Sequence, residues 1–341
     1  MFGQLACPCM SDSLRLFYSG NSIIVHHLAG NYSEYIFICF SARNNTGNGT
    51  LFSEKFLKKY DVECFFVCQS NGNKWWHAPE IFEVAKLISL EVKYSNKKIV
   101  LYGSSMGAYG AFHFRNIFNS YFSIAIAPQI YIDRTINSFE NRWVTDLNLI
   151  QSNLIFDEKQ NSLSQASNSV VFYDPTYDLD SMHVDLLKNF DPTNKINYFI
   201  EVPYSLHDVA RMLVQTKTIQ YFILSFLVND YDIHELSIKC KNLYEQDCKS
   251  FSNYFRKIAS DVNGSELSSK LIKFDSLIKT TNYLDFEALY MIAEVFFKTG
   301  RTEDALDFMD KSIDKYQQTF KSVPPNYLYL KKKSILDTLK H

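Results

Sequence analysis

Between residues 35 and 202 the chain alternates short apolar runs with segments of helical period, and this alternation restricts the fold more than any other feature of the sequence. Tyr35-Ile-Phe-Ile-Cys-Phe40 is aliphatic, aromatic or thiol throughout. A strand of that kind has to be covered on both faces, as in a parallel sheet flanked by helices. Val62–Cys68, Lys98–Tyr102, Phe122–Ala127, Ser169–Tyr173 and Ile196–Val202 read as further strands. Between Val62–Cys68 and Lys98–Tyr102, Ile81, Val84, Ala85, Ile88 and Val92 recur at helical spacing over Ala78–Tyr94, with Pro79 just inside the start. Gly107–Asn116 and Ser181–Lys188 read as helices, and a long one runs from about Asp208 to Leu227. The expected class is therefore α/β, a mostly parallel sheet with helices on both faces. Leu14–Tyr18 and Ser22–His27, joined through Gly20-Asn21, add an antiparallel hairpin at one edge.

A length of 341 residues suits one large and one small domain. Residues 130–168 interrupt the alternation with polar, irregular sequence, read here as a lid or insertion over the site. The strands stop after about Asp230, which divides the chain into an α/β domain over 1–230 and a helical domain over 231–341. Within the latter, Ile292, Ala293, Phe296, Gly300, Ala305 and Met309 fall at the spacing of a tetratricopeptide repeat across Ala288–Lys315. Small residues stand where two antiparallel helices touch, with a glycine at the turn. One such repeat cannot bury its own face, so these helices are expected to pack on each other and on the α/β domain.

The bulk numbers exclude several classes. A formal net charge of −2 creates no field favouring nucleic acid or an anionic membrane, and Lys331-Lys332-Lys333 is short enough to be a solvated helix face. Seven cysteines form no regular framework, so they read as reduced thiols in a cytoplasmic protein. Cys7-Pro8-Cys9 has no second Cys/His pair at ligand spacing, and no metal is expected. Met1 to Leu16 lacks the basic and apolar regions of a secretion signal, and the apolar stretch Tyr221–Val228 is too short to span a bilayer.

The chemistry is concentrated in Gly103-Ser104-Ser105-Met106-Gly107, a G-x-S-x-G pentapeptide between a predicted strand and a predicted helix. In that context the serine stands on a strained turn with its hydroxyl exposed, and the glycines allow close backbone passage. A serine nucleophile needs a base and an orienting carboxylate, which follow in the order Ser, acid, His. The strand ending at Tyr173 leads into Asp174-Pro175, and the strand ending at Val202 leads to His207. Loops at the carboxyl ends of parallel strands share one rim, so Ser105, Asp174 and His207 are expected to converge. Asp178 is the second choice for the acid, and Asp180 reads as the N-cap of the next helix. Two backbone donors are needed for an oxyanion. They are expected to be the N–H of Met106 and that of Ala42, with Ser41 as the neighbouring alternative. Trp76, in Trp75-Trp76-His77, and Arg142, in Asn141-Arg142-Trp143, are weaker expectations for the substrate pocket. Ordinary burial or surface exposure explains both equally well.

The elbow and its ordered partners resemble the α/β-hydrolase superfamily over roughly residues 14–229. Phe40-Ser41-Ala42, Gly103-Ser104-Ser105 and Ala127-Pro128-Gln129 resemble the corresponding segments of bacterial capsular-polysaccharide O-acetyltransferases of this fold. With Asp174-Pro175 and the helical tail, the arrangement is also similar to hydrolase-like proteins of bacterial surface-glycan loci. The resemblance implies that Ser105 takes an acyl group from acetyl-CoA or a glycan ester and passes it to a sugar hydroxyl or to water. Hydrolysis alone would need no cofactor. Two other classes remain: a different serine hydrolase, such as a thioesterase or peptidase, and an interaction protein recruiting a partner, or a second copy, through the helical tail. A serine followed in order by an acid and a histidine argues against a mere scaffold.

Overall fold

The computed structural model describes residues 14–31, 34–70, 74–93, 95–190, 196–203, 205–228, 232–245 and 285–339. Cys7 and Cys9 lie outside them. Its centre is an eight-stranded sheet made of β1 (Leu14–Ser19), β2 (Ile23–Leu28), β3 (Tyr35–Phe40), β4 (Cys64–Gln69), β5 (Lys98–Ser104), β6 (Phe122–Ile126), β7 (Asn168–Tyr173) and β8 (Asn197–Glu201). The spatial order is β1-β2-β4-β3-β5-β6-β7-β8. The hairpin β1–β2 is antiparallel, β2 meets β4 antiparallel, and every pairing from β4 through β8 is parallel. β3, β4 and β6 are buried along their whole length, β3 with an unbroken apolar sequence and β6 with Ser123 donating to the Ala111 carbonyl at 2.6 Å, whereas edge strand β1 is largely exposed.

The period of two sorts the strand residues onto two core layers. Phe37, Cys39, Cys64, Phe66, Val100, Tyr102, Ile124 and Phe172 face one layer; Ile36, Ile38, Phe40, Phe65, Val67 and Leu101 face the other. The first is covered by α1 (Glu54–Lys59) and by α7 (Val209–Gln215) and α8 (Thr218–Leu227), the second by α2 (Glu80–Val92), α3 (Met106–His113) and α4 (Val144–Ile150). The single helix expected over 208–227 is thus two, broken where Lys217 takes φ 60°. Residues 130–168 are less irregular than their composition suggests. They hold α4, a single 3-10 turn and α5 (Glu158–Leu163), and Ile130, Tyr131, Ile132, Leu147 and Ile150 are buried. After β7 comes α6 (Asp178–Phe190).

The helical part also differs from expectation at its start. α9 (Ile233–Glu245) packs on β8 and α8, and its Leu236 and Cys240 belong to the core of the sheet layer. Further along, α10 (Phe286–Lys298), α11 (Thr302–Phe320) and α12 (Asn326–Leu339) form a separate apolar cluster around Ile292, Ala293, Phe296, Ala305 and Met309. The α10–α11 turn is made by Gly300 at φ 78°, a conformation that favours glycine. Among the described residues, no helix is long and apolar enough to cross a membrane, and Cys39, Cys64, Cys68 and Cys240 are free thiols.

A buried polar chain fastens the insertion to α3. His77 Nε2 lies 2.6 Å from the Tyr109 hydroxyl, which donates to Glu158 Oε1 at 2.6 Å, and Glu158 Oε2 accepts the N–H groups of Ile132 and Asp133, each at 2.8 Å. Burial outweighs these hydrogen bonds and pushes the Glu158 carboxyl up to about 7. A raised carboxyl pKa stabilises the fold below the unfolded value, and that contribution is lost as pH climbs through the folded value. Between pH 5 and 8, Glu158→Gln should therefore gain stability relative to the parent, by up to about 3 kcal/mol. His77 and His113 titrate in both proteins and cancel in the comparison. Thermal melts of the pair across that range test this; a constant difference would contradict it.

Candidate active site

β3 and β5 are neighbours, but the chain leaves β3 towards β4, so connections depart to opposite sides and open a crevice at their carboxyl ends. Ser105 stands at this crevice, between β5 and α3, with φ 56° and ψ −123°. A non-glycine residue there costs about 1–3 kcal/mol and persists only where its surroundings enforce it. Ser105 N–H donates to the Ile126 carbonyl at 2.8 Å, and the Ser105 carbonyl accepts the N–H groups of Ala108 and Tyr109 at 2.9 and 3.1 Å. Two close approaches complete the restraint. A Cβ on Gly103 would strike the Gly107 carbonyl, and one on Gly107 would strike the Phe40 carbonyl. The pentapeptide glycines are thus steric necessities of the elbow.

The Ser105 hydroxyl lies 2.8 Å from His207 Nε2. His207 follows β8 in a half-buried loop whose preceding residue, Leu206, has φ 54°. On the far side of the ring, Nδ1 lies 3.0 Å from Oδ2 and 3.2 Å from Oδ1 of Asp180, which is fully buried. A neutral ring with its proton on Nδ1 satisfies both ends, leaving Nε2 to accept from the serine.

The carboxylate at the histidine is therefore Asp180, not Asp174 or Asp178. Asp174 does follow the strand directly, but its Oδ1 accepts the Thr176 N–H and hydroxyl, both at 2.7 Å, and its Oδ2 accepts the Leu206 N–H at 2.6 Å. It shapes the two loops that meet at the rim. Helix α6 begins at Asp178, earlier than expected, so Asp180 lies inside the first turn instead of capping it.

Both weaker expectations for the pocket are also corrected. Trp76 is fully buried; its indole N–H donates to the Met106 carbonyl at 3.1 Å and its ring packs edge-on to Phe40. It braces the start of α3 and does not line a pocket. The Arg142 guanidinium is engaged by two carboxylates: Nη1 lies 2.7 Å from Asp180 Oδ1, and Nη2 lies 2.6 Å from Glu140 Oε2. Its charge is already matched, so it offers no free cation to a substrate anion.

The backbone expected to supply the two donors is held by the same close packing. Ser41 N–H is taken by the Val67 carbonyl at 3.0 Å, which removes it as the alternative to Ala42. Met106 opens α3, where N–H groups have no acceptor within the helix. The missing Cβ of Gly107 lets the end of β3 lie against that first turn.

Two further residues neighbour the pair: Gln129, to which sequence reasoning gave no role, and Trp143, from the segment Asn141-Arg142-Trp143. The fully buried Gln129 places Oε1 3.4 Å from the Ser105 hydroxyl and Nε2 3.3 Å from His207 Nε2. Its position at the rim after β6 was the available signal. Trp143 sets its ring 6.4 Å from that of His207, centroid to centroid, with the Arg43 guanidinium 4.9 Å from the indole centroid and bonded to Asp146 at 2.6 Å.

No known sequence family and no curated protein matches the chain. Among solved structures, the chain is similar to the capsule O-acetyltransferase of Neisseria meningitidis serogroup A in complex with caged gadolinium, at 16% identity and a TM-score of 0.47, over 62% of this chain and 95% of that one. It is also similar to the glycosylation associate protein (Gap123) complex from Streptococcus agalactiae, at 17% identity and a TM-score of 0.48, over 64% of this chain and 46% of that one. A third is the acylaminoacyl peptidase of Pyrococcus horikoshii, at 10% identity and a TM-score of 0.47, over 65% and 42% of the two chains.

Proposed function

We propose that the chain is a serine acyl-ester enzyme of α/β-hydrolase type, an O-acetyltransferase or esterase whose substrate is a glycan of the bacterial surface. The observation that carries the reading is the Ser105 hydroxyl at 2.8 Å from His207 Nε2 on a left-handed turn that only tight packing sustains. In the proposed reaction His207 Nε2 takes the serine proton as Oγ attacks the acyl carbon. Asp180 faces the Nδ1 proton and stabilises the imidazolium. The N–H groups of Met106 and Ala42 receive the negative charge of the tetrahedral intermediate. Collapse expels the leaving group, which recovers the proton from His207, and a sugar hydroxyl or water then repeats the sequence on acyl-Ser105. Acetyl-CoA is the proposed acyl donor in the transferase form. The acetyl group and glycan rest on the resemblance of Phe40-Ser41-Ala42, the elbow and Ala127-Pro128-Gln129 to capsular O-acetyltransferases.

Fluorophosphonate labelling tests the nucleophile, and turnover of acetyl-CoA with glycan acceptors, against that of acetylated glycans in water, separates transfer from hydrolysis. Failure of the probe to modify Ser105 in the folded protein would remove the reading. The helices α10–α12 are proposed to dock a partner or a second copy, outside the chemistry. Leu206 packs on their cluster, but its N–H is held independently by Asp174. Truncation after Glu245, which keeps α9 in the core, should therefore leave the labelling rate within about tenfold of the full chain, roughly 1.4 kcal/mol in barrier. A folded truncation that no longer labels would place the tail in the active site.

A further inference from the structure

We infer that Arg142 and Glu140, both carried by the insertion, are positioning residues that set the basicity of His207 through the carboxylate of Asp180; this rests on the serine-nucleophile reading above.

Arg142 Nη1 reaches Asp180 Oδ1 at 2.7 Å and stands only 3.2 Å from His207 Nδ1. With a proton on Nδ1, both nitrogens are donors, so they cannot bond to each other and must divide the two oxygens of Asp180 between them. Arg142 takes Oδ1 and the ring turns to Oδ2. Glu140 fixes the guanidinium from behind: Oε1 accepts from Nε at 2.9 Å and Oε2 from Nη2 at 2.6 Å. Glu140 is itself buried and also accepts from His183 Nε2 at 3.1 Å. Burial opposes the charge of Glu140, yet the hydrogen bonds from His183 and Arg142 and the charge of the guanidinium hold its carboxyl well below the usual carboxylate range. Burial keeps His183 neutral by pushing its pKa down.

The charges then form a simple sum. Two carboxylates and one guanidinium leave a single negative charge facing a neutral imidazole, and the imidazolium formed during attack brings the cluster to neutrality. The other groups at the ring do not disturb this. Ser105 and Gln129 approach Nε2 as neutral partners, Trp143 presents only its ring, and Asp208, next in the chain, is paired with Arg211 at 2.7 Å. Arg43, beyond the indole, is paired with Asp146. The insertion therefore supplies a cation and an anion that alter the net charge seen by His207 in opposite directions.

That opposition gives the test. The rate of fluorophosphonate labelling of Ser105 is followed against pH, and its acid limb reports His207. Arg142→Gln leaves two unbalanced carboxylates and should move the limb upward by about 1–2 pH units, with labelling at pH 7 reduced about tenfold or more. Glu140→Gln leaves the guanidinium dominant and should move the limb downward. The double variant should return it towards that of the parent. A prop with no electrostatic role would slow labelling in either variant without moving the limb, and an unmoved limb in the folded variants overturns the inference. Should Arg142→Gln fail to fold, the downward shift in Glu140→Gln and the restored limb of the double variant decide the matter. An unlabelled parent would instead overturn the serine-nucleophile reading.

Discussion

Ser105→Ala should abolish turnover of any acyl ester, a loss on the order of 10⁶ in kcat, while melting as a folded protein. The effect is large because no neighbouring group can take over the covalent step. Gln129, within 3.4 Å of the hydroxyl, is not a nucleophile at an acyl carbon, and Ser104 belongs to β5. Alanine meets the same φ of 56° without a hydroxyl, so the strain of the turn remains while the bond to His207 Nε2 disappears. Stability should change little, because the backbone bonds that hold the elbow do not involve the side chain. Turnover of a small activated ester together with the circular dichroism melt provides the measurement. Turnover close to that of the parent would mean that chemistry runs elsewhere.

What the sequence disclosed follows the physics of each signal. β3 to β7 were legible because burial on both faces writes short, mainly apolar runs, unbroken in β3, and the elbow because glycine is obligatory at Gly103 and Gly107. His207 was legible by position, as a histidine on the loop after the last parallel strand. Asp180 was not. Three aspartates follow β7 within seven residues, and only the exact start of α6 decides which one faces the rim. Helix starts are the least certain part of any sequence reading, since a first turn and a loop differ by a single hydrogen bond. Arg142 and Glu140 lie in a segment without period, where nothing local distinguishes a buried ion pair from solvated surface. Trp76 was misplaced because an aromatic next to a site can brace it or line it, and only its bond to the Met106 carbonyl tells the two apart. The packing of α9 was not legible for a related reason: the strands end before residue 230, but Leu236 and Cys240 on α9 continue the core of the sheet layer.

Asp180→Asn should lower kcat by about 10⁴, far more than Asp174→Asn, and Asp178→Asn should be close to the parent. The carboxylate of Asp180 lies 3.0 Å from His207 Nδ1; an amide there can turn a donor towards the ring, favour the wrong tautomer and withdraw the charge that stabilises the imidazolium. It also removes one of the two carboxylates that engage Arg142, leaving Glu140 at 2.6 Å. Asp174 works at one remove. Its Oδ2 accepts the Leu206 N–H at 2.6 Å, and an asparagine presenting NH2 there would leave that donor opposed, at about 1–3 kcal/mol in stability. The histidine loop would loosen, giving a modest rate loss of roughly tenfold or less, about 1.4 kcal/mol in barrier. The two variants should thus separate on two axes, Asp180→Asn in rate and Asp174→Asn in melting temperature. Steady-state kinetics and thermal melts of the three variants read both. A dead Asp174→Asn with an unchanged melt, beside an active Asp180→Asn, would return the orienting role to the residue at the strand end.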